Sequence, residues 1–266
     1  TNYLPSDQFE DLLLRVYMGH QQAQTQVSTS IAVDEKPTAP AEPKTFAGAD
    51  AAQLEEITSI ILNLADPING GYGLGQKFVQ TEANDFFLAR YEATKDPKYL
   101  DPVRLPLDRM REGAIHDGKD GGYFRTTTGA DWSRPHREKL LNEQAGLLAN
   151  CLRIYKITRQ PVYAAMAEEI VSYLNRKLYD SERGVFYGCE DFLRTFAGDQ
   201  SAPEEFSTMI DPCIYTDANA QAFSAYLDAA ATLGDSDSQS RALRGLDFLR
   251  QRCRAVNPDA YIVAEI

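Results

Sequence analysis

The chain has 266 residues, of which 43% are hydrophobic and 25% are charged, a composition typical of a globular protein and not of a fibre or a disordered tail. A formal net charge of −12 argues against a nucleic-acid partner, because binding a phosphate backbone requires clustered Lys and Arg. No apolar run reaches about 18 residues and the chain shows no leader pattern, so we expect a soluble protein without a transmembrane segment.

The first 49 residues divide into two predicted segments. Residues 1–20 form a short helical segment, with Phe9, Leu12 and Val16 apolar at helical spacing. Residues 21–49 are rich in Pro, Ala, Thr and Gln and bury too little apolar surface to fold, which indicates a linker. The main domain is therefore predicted to be 50–266.

The main domain contains a repeated element: an Asp, a Gly four positions later, and an aromatic residue two positions after the Gly. The three copies begin at Asp66, Asp117 and Asp180. Glycine adopts the positive φ of a helix C-cap or tight turn, and the preceding Asp bonds nearby backbone. Each copy is predicted to close a helix, and pairs of helices lie between the copies.

Hydrophobic periodicity predicts seven helices in this domain, at 51–65, 82–94, 98–113, 138–157, 161–178, 217–233 and 238–253. An isolated αα-hairpin cannot bury its apolar face, so successive hairpins must stack. We predict an all-α domain of αα-hairpin repeats that form a partial (α/α)6-type toroid, with short β-like or glycine-rich connections at one end.

The apolar stripes of these helices define the expected core. The helix after Trp132 is the most apolar and is predicted to be central, and Tyr91, Tyr155 and Tyr163 are assigned to the core by their helical spacing. The other stripes are Leu54, Ile57, Ile61, Leu64; Tyr99, Val103, Leu107, Met110; Met166, Ile170, Tyr173, Leu178; and Ala242, Leu246, Leu249, Cys253.

The cysteines are widely spaced, with no C-x-x-C pair. They are Cys151, Cys189, Cys213 and Cys253. This spacing is typical of reduced thiols in a cytoplasmic protein and not of a disulfide framework or a zinc site. We expect no metal and no cofactor, in a cytoplasmic chain that is free to associate peripherally with a larger complex.

Three stretches resemble a known family: GGYGLGQKF (70–78), GGYFRTTTGADWSRPHREKLLNEQA (121–145) and YTDANAQAFSAYLDAA (215–230). They are similar to the six-hairpin, glycosidase-like region of thioredoxin-domain-containing proteins related to the spermatogenesis-associated thioredoxin-like protein, without the thioredoxin domain. The resemblance covers about 50–253 and implies a toroid similar to epimerase and glycosidase scaffolds. The first residues, TNYLPSDQFEDLLLRV, resemble the piece that follows the family's thioredoxin domain, and whether this chain is the remainder of a longer protein stays open.

The sequence departs from the family pattern at several positions. Arg137 replaces a Phe, Asn142-Glu143-Gln144 replace Tyr-Asp-Asn, and Ala218 replaces a Trp. About seven helices are present where a complete toroid has about twelve. We therefore expect that an intact sugar-processing ring is absent.

His136, Glu138 and Asp217 are the candidate catalytic residues. His136 and Glu138 have the chemistry of a general base and acid, and Asp217 that of a second carboxylate for glycoside hydrolysis. The structural alternative is that Pro135 starts a helix, Glu138 complements its N-terminus and Asp217 is a helix N-cap. Scaffold epimerases use paired histidines, and the domain offers only His116 and His136.

The candidate ligand-binding residues are polar or aromatic side chains near the same predicted helix starts. They are Lys77, Tyr123, Trp132, Asn142, Gln144 and Asn219. Such groups bind sugars by stacking and hydrogen bonding in concave sites. The alternative is that the aromatic side chains fill the ring as a plug.

Two functions stay open. We favour a non-catalytic helical scaffold or interaction subunit, with a protein partner along an open edge of the toroid formed by Leu243, Leu246, Leu249, Tyr261 and Ile262. The alternative is a carbohydrate-active enzyme, a sugar epimerase or glycoside hydrolase, with a small carbohydrate at the toroid mouth.

Overall fold

A computed structural model of the protein describes residues 50–195 and 205–252, which belong to one compact unit. The segments predicted over 1–20 and 21–49, together with Cys253, Tyr261 and Ile262, lie outside the described residues. Helices predominate in the described part, and none of them is both long and apolar enough to cross a lipid bilayer.

The described helices lie close to the predicted positions, with two differences. The predicted helix at 98–113 is divided into a 3-10 helix, Pro97–Tyr99, and an α-helix, and the helix predicted from residue 138 begins at Leu141. The α-helices are α1 (Ala51–Leu64), α2 (Thr81–Thr94), α3 (Asp101–Glu112), α4 (Leu141–Thr158), α5 (Pro161–Lys177), α6 (Thr216–Leu233) and α7 (Ser236–Arg252).

Short connections join α2 to α3, α4 to α5 and α6 to α7, which makes three αα-hairpins. Helix α4 packs against both α2 and α6, so the first helices of the hairpins form one layer. The second helices, α3, α5 and α7, pack mainly against their own partners and form another layer. This arrangement of stacked hairpins confirms the predicted partial (α/α)6-type toroid.

Helix α4 is the centre of this arrangement, as predicted. Leu141, Ala145, Leu148 and Leu152 are fully buried. Two hairpins flank the helix, so nearly all of its circumference contacts other helices or β4. Burial of this stripe fixes the rotation of α4 and therefore the direction of the polar side chains on its first turn.

The predicted stripes on α3 and α5 are buried, and those of the two end helices are only partly so. On α1, Ile57 is 41% exposed and Leu64 is 56% exposed, and on α7 Leu246 is 39% exposed. These stripe predictions were wrong in part, because among the described residues α7 packs mainly against α6 and β6, and α1 has no extensive contact with any other element. Of the tyrosines assigned to the core, Tyr163 is buried, and Tyr91 and Tyr155 are half-buried and pack against the core.

In the described residues, eight short strands connect the helices near the starts of α2, α4 and α6. They are β1 (Lys77–Phe78), β2 (Thr126–Thr127), β3 (Pro135–His136), β4 (Glu138–Leu140), β5 (Tyr179–Asp180), β6 (Val185–Phe186), β7 (Cys189–Thr195) and β8 (Glu205–Asp211). The sheets have the orders β1-β2-β3, β4-β7-β8 and β5-β6, all antiparallel. The seven-residue strands β7 and β8 are absent from the sequence-based prediction.

The three repeated Asp-to-Gly elements adopt the same turn. In each, the Asp Oδ1 accepts the backbone N–H groups two and three residues later, and the Gly N–H donates to the Asp carbonyl. The glycines have φ of +73°, +77° and +79°, the left-handed region that favours glycine. Each turn follows a helix and closes a short antiparallel bridge: Ala65 with Tyr72, His116 with Tyr123, and Tyr179 with Phe186.

Candidate functional site

The starts of α4 and α6 border a cleft at the end of the domain that carries these turns. The cleft encloses about 380 Å³. Three carboxylates line it, and its lining includes no Lys or Arg of the described chain, so the lining residues carry a net negative charge. The lining residues are Glu138, Leu140, Asn142, Gly188, Cys189, Asp211, Tyr215, Asp217 and Ala218, which we call the acidic cleft.

Asp217 faces the acidic cleft from the first turn of α6. The N-cap of this helix is Tyr215, so the interpretation of Asp217 as the N-cap was wrong by two positions. A carboxylate within the first turn is still stabilised by the helix dipole. Its side chain makes no hydrogen bond or ion pair with the described residues, which leaves both oxygens available to a ligand.

Asp211 and Tyr215 form one wall of the acidic cleft. The Tyr215 hydroxyl donates to Asp211 Oδ2 at 3.0 Å, and the Cys213 backbone N–H donates to Asp211 Oδ1 at 3.0 Å. The Cys213 N–H, then its thiol, and then Tyr215 lower the pKa of Asp211. An ionised Asp211 therefore fixes the ring of Tyr215, which is half exposed.

Glu138 and His136 lie on strands and not on a helix. Pro135 and His136 form β3 and Glu138 begins β4, so the proposed helix start at Pro135 and the dipole role of Glu138 were both wrong. Pairing of β4 with β7 extends the chain up to Leu140, and helical backbone begins only beyond it. Since side chains alternate along a strand, Glu138 lines the acidic cleft while Lys139 is buried.

His136 is poorly placed as a catalytic base. Its side chain is 65% exposed, and its Nδ1 lies 3.9 Å from Glu138 Oε2. Glu138 instead accepts a hydrogen bond from Arg125 Nη1 at 2.9 Å. The other histidine of the domain, His116, contacts Glu169 at 2.5 Å, so the two histidines do not form a pair at the acidic cleft.

Glu143 is a candidate that the sequence analysis did not select. It lies on the first turn of α4, half-buried, and its Oε2 is buried without a hydrogen-bond partner. Burial raises its pKa to about 7; the positive charge of Arg125 opposes this shift, and repulsion from Glu138 and Glu82 adds to it. A carboxyl that holds its proton near neutral pH has the property of a general acid. The sequence feature that could have identified Glu143 is its position beside Asn142 at the start of the central helix.

Lys77 is part of the framework and does not face a ligand. It is fully buried, and its Nζ donates to Asp66 Oδ2 at 2.7 Å and to the Gly73 carbonyl. Burial disfavours the ionised form of Asp66, but hydrogen bonds from Asn69, Lys77 and Ile68 outweigh it and hold its pKa well below the usual range. The pair locks the first turn to β1.

Trp132 is also structural. Its side chain is 1% exposed, and its Nε1 donates to the Asn69 carbonyl at 2.7 Å. Trp132 has φ of +62°, unusual for a bulky residue, and its ring lies against Gly71, where an added Cβ would lie 2.9 Å from the indole. The aromatic-plug interpretation describes Trp132, and sugar stacking on its ring is excluded by its burial.

Gln144 and Asn219 hold the second and third turns from the first turns of α4 and α6. The Gln144 amide accepts from Tyr123 N at 3.0 Å and donates to Tyr123 O at 2.6 Å. The Asn219 amide does the same to Phe186, at 2.7 and 2.9 Å. Since Tyr123 and both amides are buried, these three predicted ligand-binding residues have structural roles.

Asn142 is therefore the only predicted ligand-binding residue in the acidic cleft, beside the catalytic candidates Glu138 and Asp217. Among the described residues, no group of three or more His, Cys, Asp or Glu is arranged to hold a metal ion. The three described cysteines are free, and burial raises the pKa of the Cys151 thiol.

Comparison with known proteins gives partial sequence relatives, and no family model matches the chain. An uncharacterized protein of Caenorhabditis elegans is 28% identical over 160 residues, 56% of this chain and 22% of that protein. Spermatogenesis-associated protein 20 of Mus musculus is 30% identical over 126 residues, 46% of this chain and 16% of that protein. The matches thus span less than a quarter of either relative.

Solved structures with a similar fold cover more of the chain. Cellobiose 2-epimerase from Spirochaeta thermophila has a TM-score of 0.58 and 17% identity, over 79% of this chain and 56% of its own. A family 76 glycoside hydrolase (mannosidase) from Bacteroides thetaiotaomicron has a TM-score of 0.60 and 14% identity, over 75% of this chain and 52% of its own. D-mannose isomerase has a TM-score of 0.59 and 13% identity, over 82% of this chain and 55% of its own. The chain thus shares the mostly helical toroid fold of these enzymes and spans about half their length, and it is related in part to spermatogenesis-associated protein 20.

Proposed function

We propose that this chain binds a neutral carbohydrate in the acidic cleft. The observation that carries the proposal is the convergence of Glu138, Asn142 and Asp217 with the exposed ring of Tyr215 on one concave surface. Carboxylate and amide groups bind sugar hydroxyls, and an aromatic face covers the apolar face of a sugar ring. A negative cleft disfavours anionic ligands, which selects uncharged sugars.

The fold comparisons support the same ligand class. Solved toroids similar to this chain carry names that refer to cellobiose, mannose or mannan as what they act on. Their identities to this chain are too low to transfer a reaction, so binding is the proposal and turnover its alternative. If turnover occurs, hydrolysis fits the described residues better than epimerisation, because carboxylates converge on the cleft and the histidines do not.

The test is a calorimetric titration with neutral mono- and disaccharides. We expect saturable binding, weakened by about tenfold or more in Asp217→Asn, because a hydrogen bond to a charged group contributes about 1.5–3 kcal/mol. His136→Ala is the matched control, since this side chain is exposed and does not line the cleft. Absence of binding to every sugar of the panel, or equal losses in both variants, would contradict the proposal.

The same samples separate binding from catalysis. Incubation with each bound sugar, followed by product analysis, detects hydrolysis or epimerisation. Turnover that is abolished by Glu138→Gln or Asp217→Asn identifies an enzyme. Binding without turnover identifies a carbohydrate-binding scaffold.

A protein interface is the second candidate function, and the exposed apolar face of α7 favours it. Leu243 is 50% exposed and Leu246 is 39% exposed, and the two lie three residues apart on the same face of the helix. Leu249, which was assigned to the same edge, is buried. A spacing of three residues fits the apolar face of a partner helix. A stable interface of this kind buries at least about 1,000 Å² in total.

Glutamate substitutions on α7 test this interface. We expect Leu243→Glu with Leu246→Glu to abolish association with a co-purifying helical partner, measured by sizing with light scattering, because each added charge must be desolvated in the interface. Asp247→Glu, which keeps the surface charge of α7, is the control. If the double Leu→Glu variant and the Asp247→Glu control form the complex equally well, this face of α7 is not the interface.

A further inference from the structure

A second cleft lies between the third turn and α7, away from the acidic cleft. It encloses about 310 Å³ and shares no lining residue with the acidic cleft. Its lining includes two arginines and two serines, so its chemistry is opposite to that of the acidic cleft. The lining residues are Tyr179, Ser181, Asp237, Ser240, Arg241 and Arg244, which we call the arginine cleft.

Arg241 has unused hydrogen-bond donors. Its guanidinium carbon lies 4.5 Å from the centroid of the Tyr179 ring. Its Nε is buried and has no hydrogen-bond partner. Asp237 is one helical turn earlier, at ion-pair spacing, yet the two side chains form no ion pair in the described structure. The Nη groups of Arg241 also make no hydrogen bond with the described residues, so a guanidinium that a ring already orients has donors left for an anion.

Arg244 is fixed by the third turn. Its Nη2 donates to the Glu182 carbonyl at 2.6 Å, and its Cγ and Cδ lie 2.7 and 2.9 Å from the position that a Cβ on Gly184 would take. Glycine at position 184 therefore allows both the positive φ of the turn and the close approach of the Arg244 side chain. The remaining nitrogens of Arg244 and the hydroxyl of Ser181 make no hydrogen bond with other described residues.

We propose that the arginine cleft binds a phosphate group, as inorganic phosphate or a phosphate monoester. Two guanidinium groups and a serine hydroxyl supply convergent donors, and the planar fork of Arg matches the oxygens of a tetrahedral oxyanion. Stacking on Tyr179 and the bond to Glu182 orient the two arginines before binding.

Asp237 opposes this ligand. Its carboxylate lines the same cleft and repels an anion, and no other acidic residue does so among the described lining residues. Removal of this charge should therefore strengthen phosphate binding, whereas removal of Arg241 should weaken it. Opposite effects from two residues one helical turn apart are not expected from general changes in stability.

The test titrates inorganic phosphate into the protein at constant ionic strength, with chloride as the balancing anion. We expect saturable binding, about tenfold weaker in Arg241→Gln and a few-fold tighter in Asp237→Asn. Arg250→Gln is the matched control, because Arg250 lies on α7 and is 80% exposed, paired with Asp247. Repeating the titration with a hexose phosphate distinguishes the free ion from a monoester. No saturable binding of phosphate, or an equal loss in Arg250→Gln, would overturn the proposal.

Discussion

Lys139→Met is expected to lower the free energy of unfolding by about 3–5 kcal/mol, the loss that follows when one partner of a buried ion pair is removed. Lys139 is fully buried, and its Nζ donates to Asp117 Oδ2 at 2.7 Å and to the Gly121 carbonyl at 2.8 Å. Glu190, which is 1% exposed, lies 3.6 Å from the same nitrogen. Methionine fills the space and leaves both carboxylates without this cation.

The aromatic cage around Lys139 adds to the expected loss. Its Nζ lies 4.6 Å from the ring centroid of Tyr173, 5.0 Å from that of Phe124 and 5.3 Å from that of Phe192. These rings belong to α5, to the residue that follows the second bridge and to β7, so one ammonium joins three parts of the chain around the start of α4. Urea unfolding measures this loss of stability, and we expect the m-value to be unchanged.

Lys156→Met is the control for this substitution. Lys156 lies on α4 and pairs with Asp228 at 2.8 Å, but its side chain is 42% exposed, so its removal should cost less than about 1 kcal/mol. Adding Glu190→Gln to Lys139→Met should restore part of the lost stability, because one uncompensated charge is then removed. Similar losses for Lys139→Met and Lys156→Met would show that the buried ammonium has no special role.

The repeat and the helices could be predicted from the sequence because they depend on local rules. A glycine at a left-handed position and an Asp that caps the turn act within five residues, and Asp66, Asp117 and Asp180 all form the predicted turn. Helix periodicity is equally local. Pairing of β7 with β8 joins residues on either side of a long connection, and no regular alternation in these strands indicated it.

The site was harder to predict because burial decides which polar residues are free. Lys77, Gln144 and Asn219 have the side chains of a binding site, yet each bonds a turn or its backbone. Their partners are the Asp-to-Gly turns, so the repeat itself held a signal: Gln144 and Asn219 both occupy the fourth position of a helix that follows a turn. The equivalent Asn84 of α2 bonds Asn150 instead.

The helix start after Pro135 could not be predicted from capping rules alone. Pro135 and Glu138 fit the first turn of a helix, but β3 pairs with β2 and β4 pairs with β7, and these ladders supply hydrogen-bond partners for the backbone of both short strands. Strand geometry then alternates the side chains. This alternation places Glu138 on the acidic cleft and Lys139 in the core, a division that a helix would not produce.

Glu143 is expected to make stability fall as pH rises through the range from about 4.5 to about 7. Burial raises its pKa from 4.5 to about 7 in the folded protein. Between these values the unfolded chain has lost the proton and the folded protein retains it, so each step up in pH favours unfolding. At about 1.4 kcal/mol per pKa unit, reduced because the side chain is only half-buried, the total loss is about 2–3 kcal/mol.

Glu143→Gln should remove this dependence, since an amide has the shape of the protonated carboxyl and does not titrate in this range. The variant should be more stable than the parent by about 2–3 kcal/mol at pH 8, and the two should converge near pH 4, where the parent carboxyl is protonated in both states. Urea unfolding at four or five pH values gives the difference curve, and Glu168→Gln, on the exposed face of α5, controls for loss of one negative charge. A difference that is independent of pH would mean that Glu143 is ionised in the folded protein, and its role as an acid that holds its proton near neutral pH would be excluded.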